Sequence, residues 1–332
     1  MFNALGKSVA ALTVVPVVLV VTGAGSAKEA LAPFFSPIIV LFFGGFLLAE
    51  AMRRTELDRL AATHIVSLFG GGPIMLYAAF IVVSAGASMW MSNTAAVAVL
   101  LPIAMTVTAP VGDDSYRRAV VLGVAYAATV GGVGSAIGTP ANQLAIEFLG
   151  EVVGREISFV EWFAFGLPAV VLLLVPVATC VWLRFAPSVE AHEVEHLQAA
   201  ALDERRRMGR LTRAQVEVLV VFCLILTGWL TQTWHGVHPG IVALAGAIVL
   251  MVLGRIETDD LGRISWPALL TFGGGLAIGS AVTSSGTSDW IVTRLGSLAD
   301  LPTQLAILAV CAVTLALTTV ASNTASAATL IP

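Results

Sequence analysis

Charge is scarce in this sequence. Asp, Glu, Lys and Arg make up 11% of its 332 residues, against roughly 25% in soluble domains, which excludes an ordinary soluble protein. Cysteine is scarcer still. Cys180, Cys223 and Cys311 each fall inside an apolar segment, so neither a disulfide framework nor a cysteine-rich metal site is implied, and all three read as small core residues. There is no long run of one charge sign, and the formal net charge is −4, which sets a nucleic-acid partner aside. A G-x-S-x-G elbow is absent too, and no ionisable residue stands beside either Ser-Asn-Thr of the chain. A hydrolytic triad or a proton relay has no parts to work with.

Apolar residues are plentiful. They make up 58% of the chain, in runs near 8–24, 32–52, 74–91, 95–110, 119–149, 162–184, 215–233, 239–254, 266–284 and 303–320. A run of about 20 apolar residues crosses a bilayer as a helix, so the chain reads as an all-α polytopic membrane protein. The longest polar interruption, 186–214, carries Arg205, Arg206, Arg207, Arg210 and Arg213, and arginine-rich loops stay in the cytoplasm. Counting outward from that linker places Arg53, Arg54, Arg117 and Arg118 inside, together with the N-terminus. The runs 74–91 and 95–110 must then enter and leave on one side, either as two full crossings or as a re-entrant hairpin. Ala95 to Ala109 would be about 22 Å long as a helix, short for a crossing, which favours a hairpin turning at Ser92-Asn93-Thr94. Parity also makes the second half of the chain inverted relative to the first.

A repeat is legible in the letters. Ser92-Asn93-Thr94-Ala95, Leu100 and Pro102 recur as Ser322-Asn323-Thr324-Ala325, Leu330 and Pro332, at an offset of 230, and Phe43-Gly44-Gly45 recurs as Phe272-Gly273-Gly274 at 229. Duplicated units of opposite orientation, each broken at mid-depth, are the signature of inverted-repeat secondary transporters. The expected organisation is a first repeat over 1–185, with the hairpin at about 74–110 and a broken helix at about 119–149. A cytoplasmic linker follows over 186–214, then a second repeat over 215–332. The repeat also leads one to expect a further helix before the first copy and a continuation of the second beyond Pro332.

Ser, Asn and Thr cap helices, because their oxygens accept the first unpaired N–H groups. A capped start at mid-membrane needs protein or water around it. Its partial positive charge suits a carboxylate, while hydroxyls and freed carbonyls suit a hard cation such as Na⁺. The second break is Gly131-Gly132-Val133-Gly134-Ser135-Ala136-Ile137-Gly138-Thr139-Pro140-Ala141-Asn142, where Pro140 disfavours helix at Thr139 and unwinding is expected near Gly138 to Asn142. His192-Glu193-Val194-Glu195-His196 matches H-E-x-x-H, the spacing of a zinc protease. It lies in the polar linker without an evident third ligand, so a protease using His192 and His196 is only a distant alternative, and the chain is not expected to be an enzyme.

Taken together, Ser88 with Ser92-Asn93-Thr94, the Gly138-Thr139-Pro140-Ala141-Asn142 break, the second Ser322-Asn323-Thr324 and the Phe272-Gly273-Gly274-Gly275 run resemble the divalent anion/sodium symporter family, the sodium-coupled di- and tricarboxylate carriers. The resemblance covers essentially the whole chain. It implies a homodimer in the cytoplasmic membrane, with a transport domain sliding elevator fashion and two re-entrant hairpins. By motif, one Na⁺ site would use Ser88, Ser92, Asn93 and Gly138, and a second would use Thr318, Ser322 and Asn323. Substrate carboxylates would be held by Asn93, Thr94, Thr139 and Pro140 on one side and by Asn323 and Thr324 on the other. The implied activity is Na⁺-coupled symport of dicarboxylates of the succinate, malate and fumarate class, with Na⁺ as coupling ion and no cofactor. A sodium-independent dicarboxylate, citrate or sulfate exchanger is the alternative. Ala141 departs from the family, which often has a second proline there, and no counterpart of Gly138 to Asn142 occurs in the second half.

Overall fold

Lipid offers backbone N–H and C=O groups no partner, so an apolar run must satisfy them internally as a helix. The computed structural model describes residues 2–68, 72–109, 111–154, 157–185, 189, 191–286, 302–320 and 327, and among these there are helices and no strand. Proline opens several of the helices, its fixed φ suiting the first helical position and its missing N–H costing nothing there. In chain order they are α1 (Phe2–Val21), α2 (Ala27–Leu31), α3 (Pro37–Arg54), α4 (Leu57–Leu68), α5 (Pro73–Ser88), α6 (Asn93–Thr108), α7 (Asp114–Gly131), α8 (Pro140–Val153), α9 (Phe159–Phe185), α10 (Ala191–Met208), α11 (Arg213–Leu230), α12 (Gln232–His235), α13 (Pro239–Val252), α14 (Trp266–Ser284) and α15 (Thr303–Val320). Among the described residues, three segments are long and apolar enough to cross a membrane: Ala27–Arg54, Phe159–Phe185 and Arg213–Leu230. By contrast α5 and α6 have 16 residues each, about 24 Å of helix against a hydrocarbon core of about 30 Å. Residues 89–92 join these two short helices tip to tip.

The chain divides into two compact units. In the first, residues 1–43, 143–157 and 265–332, α1 packs along α14. Gly274 makes that approach possible, since a Cβ there would lie 2.9 Å from the Ala11 Cβ. Phe42 and Phe272 stack with ring centroids 5.2 Å apart. In the second unit, residues 44–142 and 158–264, α5, α6 and α9 all pack on α7. Phe80, Leu100, Tyr116 and Val120 are fully buried between them. Polar groups inside this bundle are paired: the Tyr116 hydroxyl donates to the Pro73 carbonyl at 3.0 Å, Tyr77 to Ala178 at 2.9 Å and Ser84 to Val124 at 2.7 Å. Gly44 of α3 meets Ala243 of α13, where a Cβ would lie 2.7 Å from the alanine Cβ. In lipid such small-residue approaches supply the packing that hydrophobic burial does not.

Helix starts follow the letter repeat. α3 begins at Pro37 and α14 at Trp266, 229 residues later; α5 begins at Pro73 and α15 at Thr303, 230 later. The glycine approaches follow it too, because Gly44 and Gly274 belong to the two copies of the Phe-Gly-Gly motif and each receives the helix before the other copy's motif.

Three readings of the sequence change. The cysteines are exposed, not core, because they lie on the faces of α9, α11 and α15 that no described helix covers. The polar stretch 186–214 contains a helix, α10, packed on α4 and α6. Its Ala, Glu, Leu, Gln and Arg residues are strong helix formers that hydropathy does not register. The break after α7 starts earlier than Gly138: α7 ends at Gly131, a 3₁₀ turn covers Gly132–Gly134, and helix resumes at Pro140, so Asn142 is already helical.

Within the second unit, the end of α3 meets the turn between α13 and α14 through charge. Arg54 pairs with Glu257 and with Asp260 at 2.6 Å, Arg53 with Glu50, and Arg263 with Asp260 at 3.3 Å and Glu50 at 3.5 Å. Burial acts to raise the Asp260 pKa, but the Glu257 N–H and Arg54 outweigh it and leave the carboxyl below its usual value. Asp58, at the start of α4, goes the other way. Burial pushes it from 3.8 to about 6 against the opposing hydrogen bond from the Arg59 N–H. The fold thus favours the protonated acid, so stability falls as pH rises from about 4 through 6 and levels off above. The ionised form at neutral pH costs roughly 3 kcal/mol. Asp58→Asn is expected to raise the melting temperature of the purified chain at pH 7.5, to raise it less at pH 5, and to change it little near pH 4. An equal gain at every pH would rule this origin out.

Candidate functional site

The turn between α5 and α6 and the break between α7 and α8 meet inside the second unit. Ser92 caps α6, its hydroxyl accepting the Ala95 N–H at 3.3 Å. Asn93, one residue on, turns its side chain back toward α5, where the fully buried Ser88 hydroxyl donates to its Oδ1 at 2.7 Å. That oxygen also faces the break, because a Cβ on Gly132 would lie 2.5 Å from it. Gly138 faces two carbonyls: a Cβ there would be 2.5 Å from the Gly132 oxygen and 2.8 Å from the Ser88 oxygen. Only glycine fits at Gly138, where the close atoms are backbone, whereas a Cβ on Gly132 would turn the Asn93 amide away. Ser88 Oγ, Asn93 Oδ1 and the carbonyl oxygens of Ser88 and Gly132 therefore gather around Gly132 and Gly138. All are neutral hard oxygens of the kind that hold alkali and alkaline-earth cations.

Two residues without a sequence-assigned role keep this cluster in shape. Ser135 joins the two interruptions: its hydroxyl donates to the Met89 carbonyl on the turn and accepts the Gly138 N–H at 3.1 Å on the break. Asn142, buried in the first turn of α8, donates through Nδ2 to the carbonyls of Gly132 at 2.8 Å and Ser135 at 2.7 Å. An amide at the end of a glycine-rich break, where an interrupted helix leaves carbonyls in need of donors, was the available signal for Asn142. Its two acceptors are carbonyls that the broken helix leaves unpaired. Trp162 Nε1 adds a bond to the Val133 carbonyl at 3.2 Å. Around the turn, Trp90 stacks on Phe159 at 6.4 Å and meets Phe222 edge-on at 5.6 Å, while Phe159 stacks on Trp229 at 5.3 Å. These aromatic groups anchor the turn from α9 and α11.

Of the residues expected to bind substrate, Thr94 is exposed in the first turn of α6, while Thr139 and Pro140 are half-buried at the start of α8. Two helix N-termini thus begin beside the oxygen cluster, and each carries partial positive charge. Thr318 lies in α15 and bonds back to the Leu315 carbonyl at 3.0 Å. Ser322, Asn323 and Thr324 lie outside the described residues, as does the side chain of His192. In the H-E-x-x-H segment, Glu193 accepts the Gly112 N–H at 2.8 Å, tying α10 to the loop before α7. Among the described residues no group of three His, Cys, Asp or Glu is placed to hold a metal ion.

A short helix pair whose tip docks on a broken helix, with neutral oxygens and helix N-termini at the junction, is the site architecture of a secondary transporter. The chain belongs to the citrate transporter family, whose model matches residues 1–332. Members of this family are membrane transporters and not enzymes, and they carry no cofactor. The sequence is 29% identical to the sodium-dependent dicarboxylate transporter SdcS of Staphylococcus saprophyticus, over 98% of this chain and 68% of that protein. It is 30% identical to SdcS of Staphylococcus aureus over the same shares. An uncharacterized transporter of Haemophilus influenzae is 31% identical over 99% of this chain and 72% of that protein.

Proposed function

We propose that this protein is a secondary active transporter that carries dicarboxylates of the succinate, malate and fumarate class across the cytoplasmic membrane by symport with Na⁺. The observation that carries the reading is the neutral oxygen cluster of Ser88, Asn93 and the Ser88 and Gly132 carbonyls beside two helix N-termini. Helix termini alone, at roughly half a charge each, do little to offset a dianion. A cation among the oxygens adds a full charge at the same place, so Na⁺ and substrate each raise the affinity for the other, as thermodynamic linkage requires. The names borne by the staphylococcal relatives support both Na⁺ and dicarboxylate.

In this reading Asn93, Thr94, Thr139 and Pro140 hold one carboxylate, and Asn323 and Thr324 hold the other. Na⁺ is bound by Ser88, Ser92, Asn93 and Gly138, with a second site at Thr318, Ser322 and Asn323. The two copies form an inverted repeat, α5 and α6 are a re-entrant hairpin, and two protomers work as a dimer whose transport domains move as elevators. The arginines near 53–54, 205–213 and 255–263 face the cytoplasm, as the positive-inside rule directs. Citrate is the second substrate to test, since the family model describes a citrate transporter.

The test is uptake of radiolabelled succinate by proteoliposomes under an inward Na⁺ gradient, with K⁺ replacing Na⁺ as control. At least ten-fold faster uptake with Na⁺ is expected. Equal rates with either cation would favour sodium-independent exchange, and the absence of both succinate and citrate uptake would overturn the assignment of substrate.

A further inference from the structure

Most arginines near the ends of the second unit's helices are neutralised. Arg53 pairs with Glu50, Arg54 with Asp260 and Glu257, Arg117 with Asp114 at 3.0 Å, and Arg255 and Arg213 with Glu217 at 2.7 and 2.8 Å. The elbow between α10 and α11 differs. Arg205, Arg206 and Arg207 occupy the last turn of α10, and Arg210 follows. Arg207 pairs with Asp203 at 2.9 Å, whereas no described carboxylate pairs with Arg205, Arg206 or Arg210. Arg206 and Arg210 are exposed.

The elbow is a built structure and not a slack tether. Gly209 takes a left-handed φ of +70° and its N–H bonds back to the Arg206 carbonyl at 3.2 Å, so α10 stops in a defined turn with Arg210 directly after it. Thr212 then caps α11 through a capping box with Gln215, whose Nε2 donates to the Thr55 carbonyl at 2.9 Å. α11 is apolar and long enough to cross a membrane, which places its first turn at the bilayer surface. Only four residues separate it from α10, so Arg205, Arg206 and Arg210, with which no described carboxylate pairs, all stand within eight residues of that first turn. Leu202, 43% exposed, stands one turn before Arg206, and Leu211, 49% exposed, follows Arg210. Past them, exposed Val216, Val220 and Leu224 continue along α11. Cationic forks above an unbroken apolar face match a molecule that is anionic at one end and hydrocarbon at the other.

We propose that this elbow binds the phosphodiester headgroup of an anionic phospholipid, with Arg205, Arg206 and Arg210 on the phosphate and Leu202 and Leu211 against the first acyl methylenes. Guanidinium suits this role because its planar donors meet phosphate oxygens two at a time. The site is independent of the transport reading and holds whatever the substrate is.

The experiment is thermal unfolding of the detergent-purified chain titrated with dioleoyl phosphatidylglycerol or dioleoyl phosphatidylcholine. Phosphatidylglycerol is expected to raise the melting temperature, phosphatidylcholine is not, and the rise shrinks between 50 and 500 mM NaCl as the charges are screened. In R206Q/R210Q the lipid concentration for half-effect rises on the order of ten-fold or more, at about five-fold per basic residue near an anionic surface. R118Q, which removes an exposed arginine elsewhere, leaves the titration unchanged. The proposal is overturned if phosphatidylcholine acts as well, if R206Q/R210Q responds like the parent, if R118Q is equally impaired, or if inorganic phosphate reproduces the shift. Native mass spectrometry of the unmutated chain gives a reading that does not depend on any variant folding: retained phosphatidylglycerol is expected, and equal retention of both lipids would overturn the site.

Discussion

Asn93→Ala is expected to lower Na⁺-driven succinate uptake at limiting Na⁺ at least ten-fold while leaving the chain folded in the membrane. The substitution removes the oxygen that faces Gly132 and deprives the fully buried Ser88 hydroxyl of its acceptor at 2.7 Å. A lost hydrogen bond to a charged or buried group costs about 1.5–3 kcal/mol, equivalent to a ten- to hundred-fold loss in apparent Na⁺ affinity. Because Asn93 is also proposed to hold substrate, the apparent affinity for succinate falls with it. The check is a Na⁺ titration of uptake for the parent, Asn93→Ala and His192→Ala, the last expected to behave like the parent. Equal impairment of the two variants, or none at Asn93, would remove the cluster from the transport site.

Gly138→Ala is expected to be as damaging for a steric reason. A single methyl would lie 2.5 Å from the Gly132 oxygen and 2.8 Å from the Ser88 oxygen, and both are backbone atoms that no rotamer change can move. The break must open, parting the oxygens that the reading assigns to Na⁺, and overpacking of this kind costs about 1–3 kcal/mol. Uptake is expected to drop at least ten-fold, with the chain still inserted and helical by circular dichroism. Gly86→Ala in α5 is the matched control, since nothing lies within 4 Å of its added methyl, and alanine in a helix is favoured over glycine by roughly 0.5–1 kcal/mol. If Gly138→Ala and Gly86→Ala transport alike, the close approach at Gly138 has no part in function.

Both experiments concern a junction whose parts were separately visible in the sequence. Ser92-Asn93-Thr94 announced a capped helix start, and Gly138-Thr139-Pro140 announced a break, because capping and proline chemistry act within a few residues of chain. Their meeting was not visible. Ser88 and Asn93 face Gly138 and Gly132 only once α5, α6 and α9 have packed on α7, and the Ser135 hydroxyl spans 46 residues of sequence to reach Met89. Ser135 has no motif of its own, and the motif that ends at Asn142 does not say what its amide bonds, since each serves carbonyls that other parts of the fold present.

The same division runs through the rest of the molecule. Membrane class and helical content could be read from the letters alone, because hydropathy and proline placement are local properties. The offsets of the repeated letters recur as the 229- and 230-residue intervals between helix starts. The letters misplaced the cysteines and hid α10, because exposure and docking depend on which neighbour covers which face. The approach of Gly44 to Ala243 and of Gly274 to Ala11, the ion pairs that neutralise Arg54 but among the described residues reach neither Arg206 nor Arg210, and the oxygens gathered at Gly138 were decided by tertiary structure. Each depends on groups far apart in the chain, and only packing sets the distance between them.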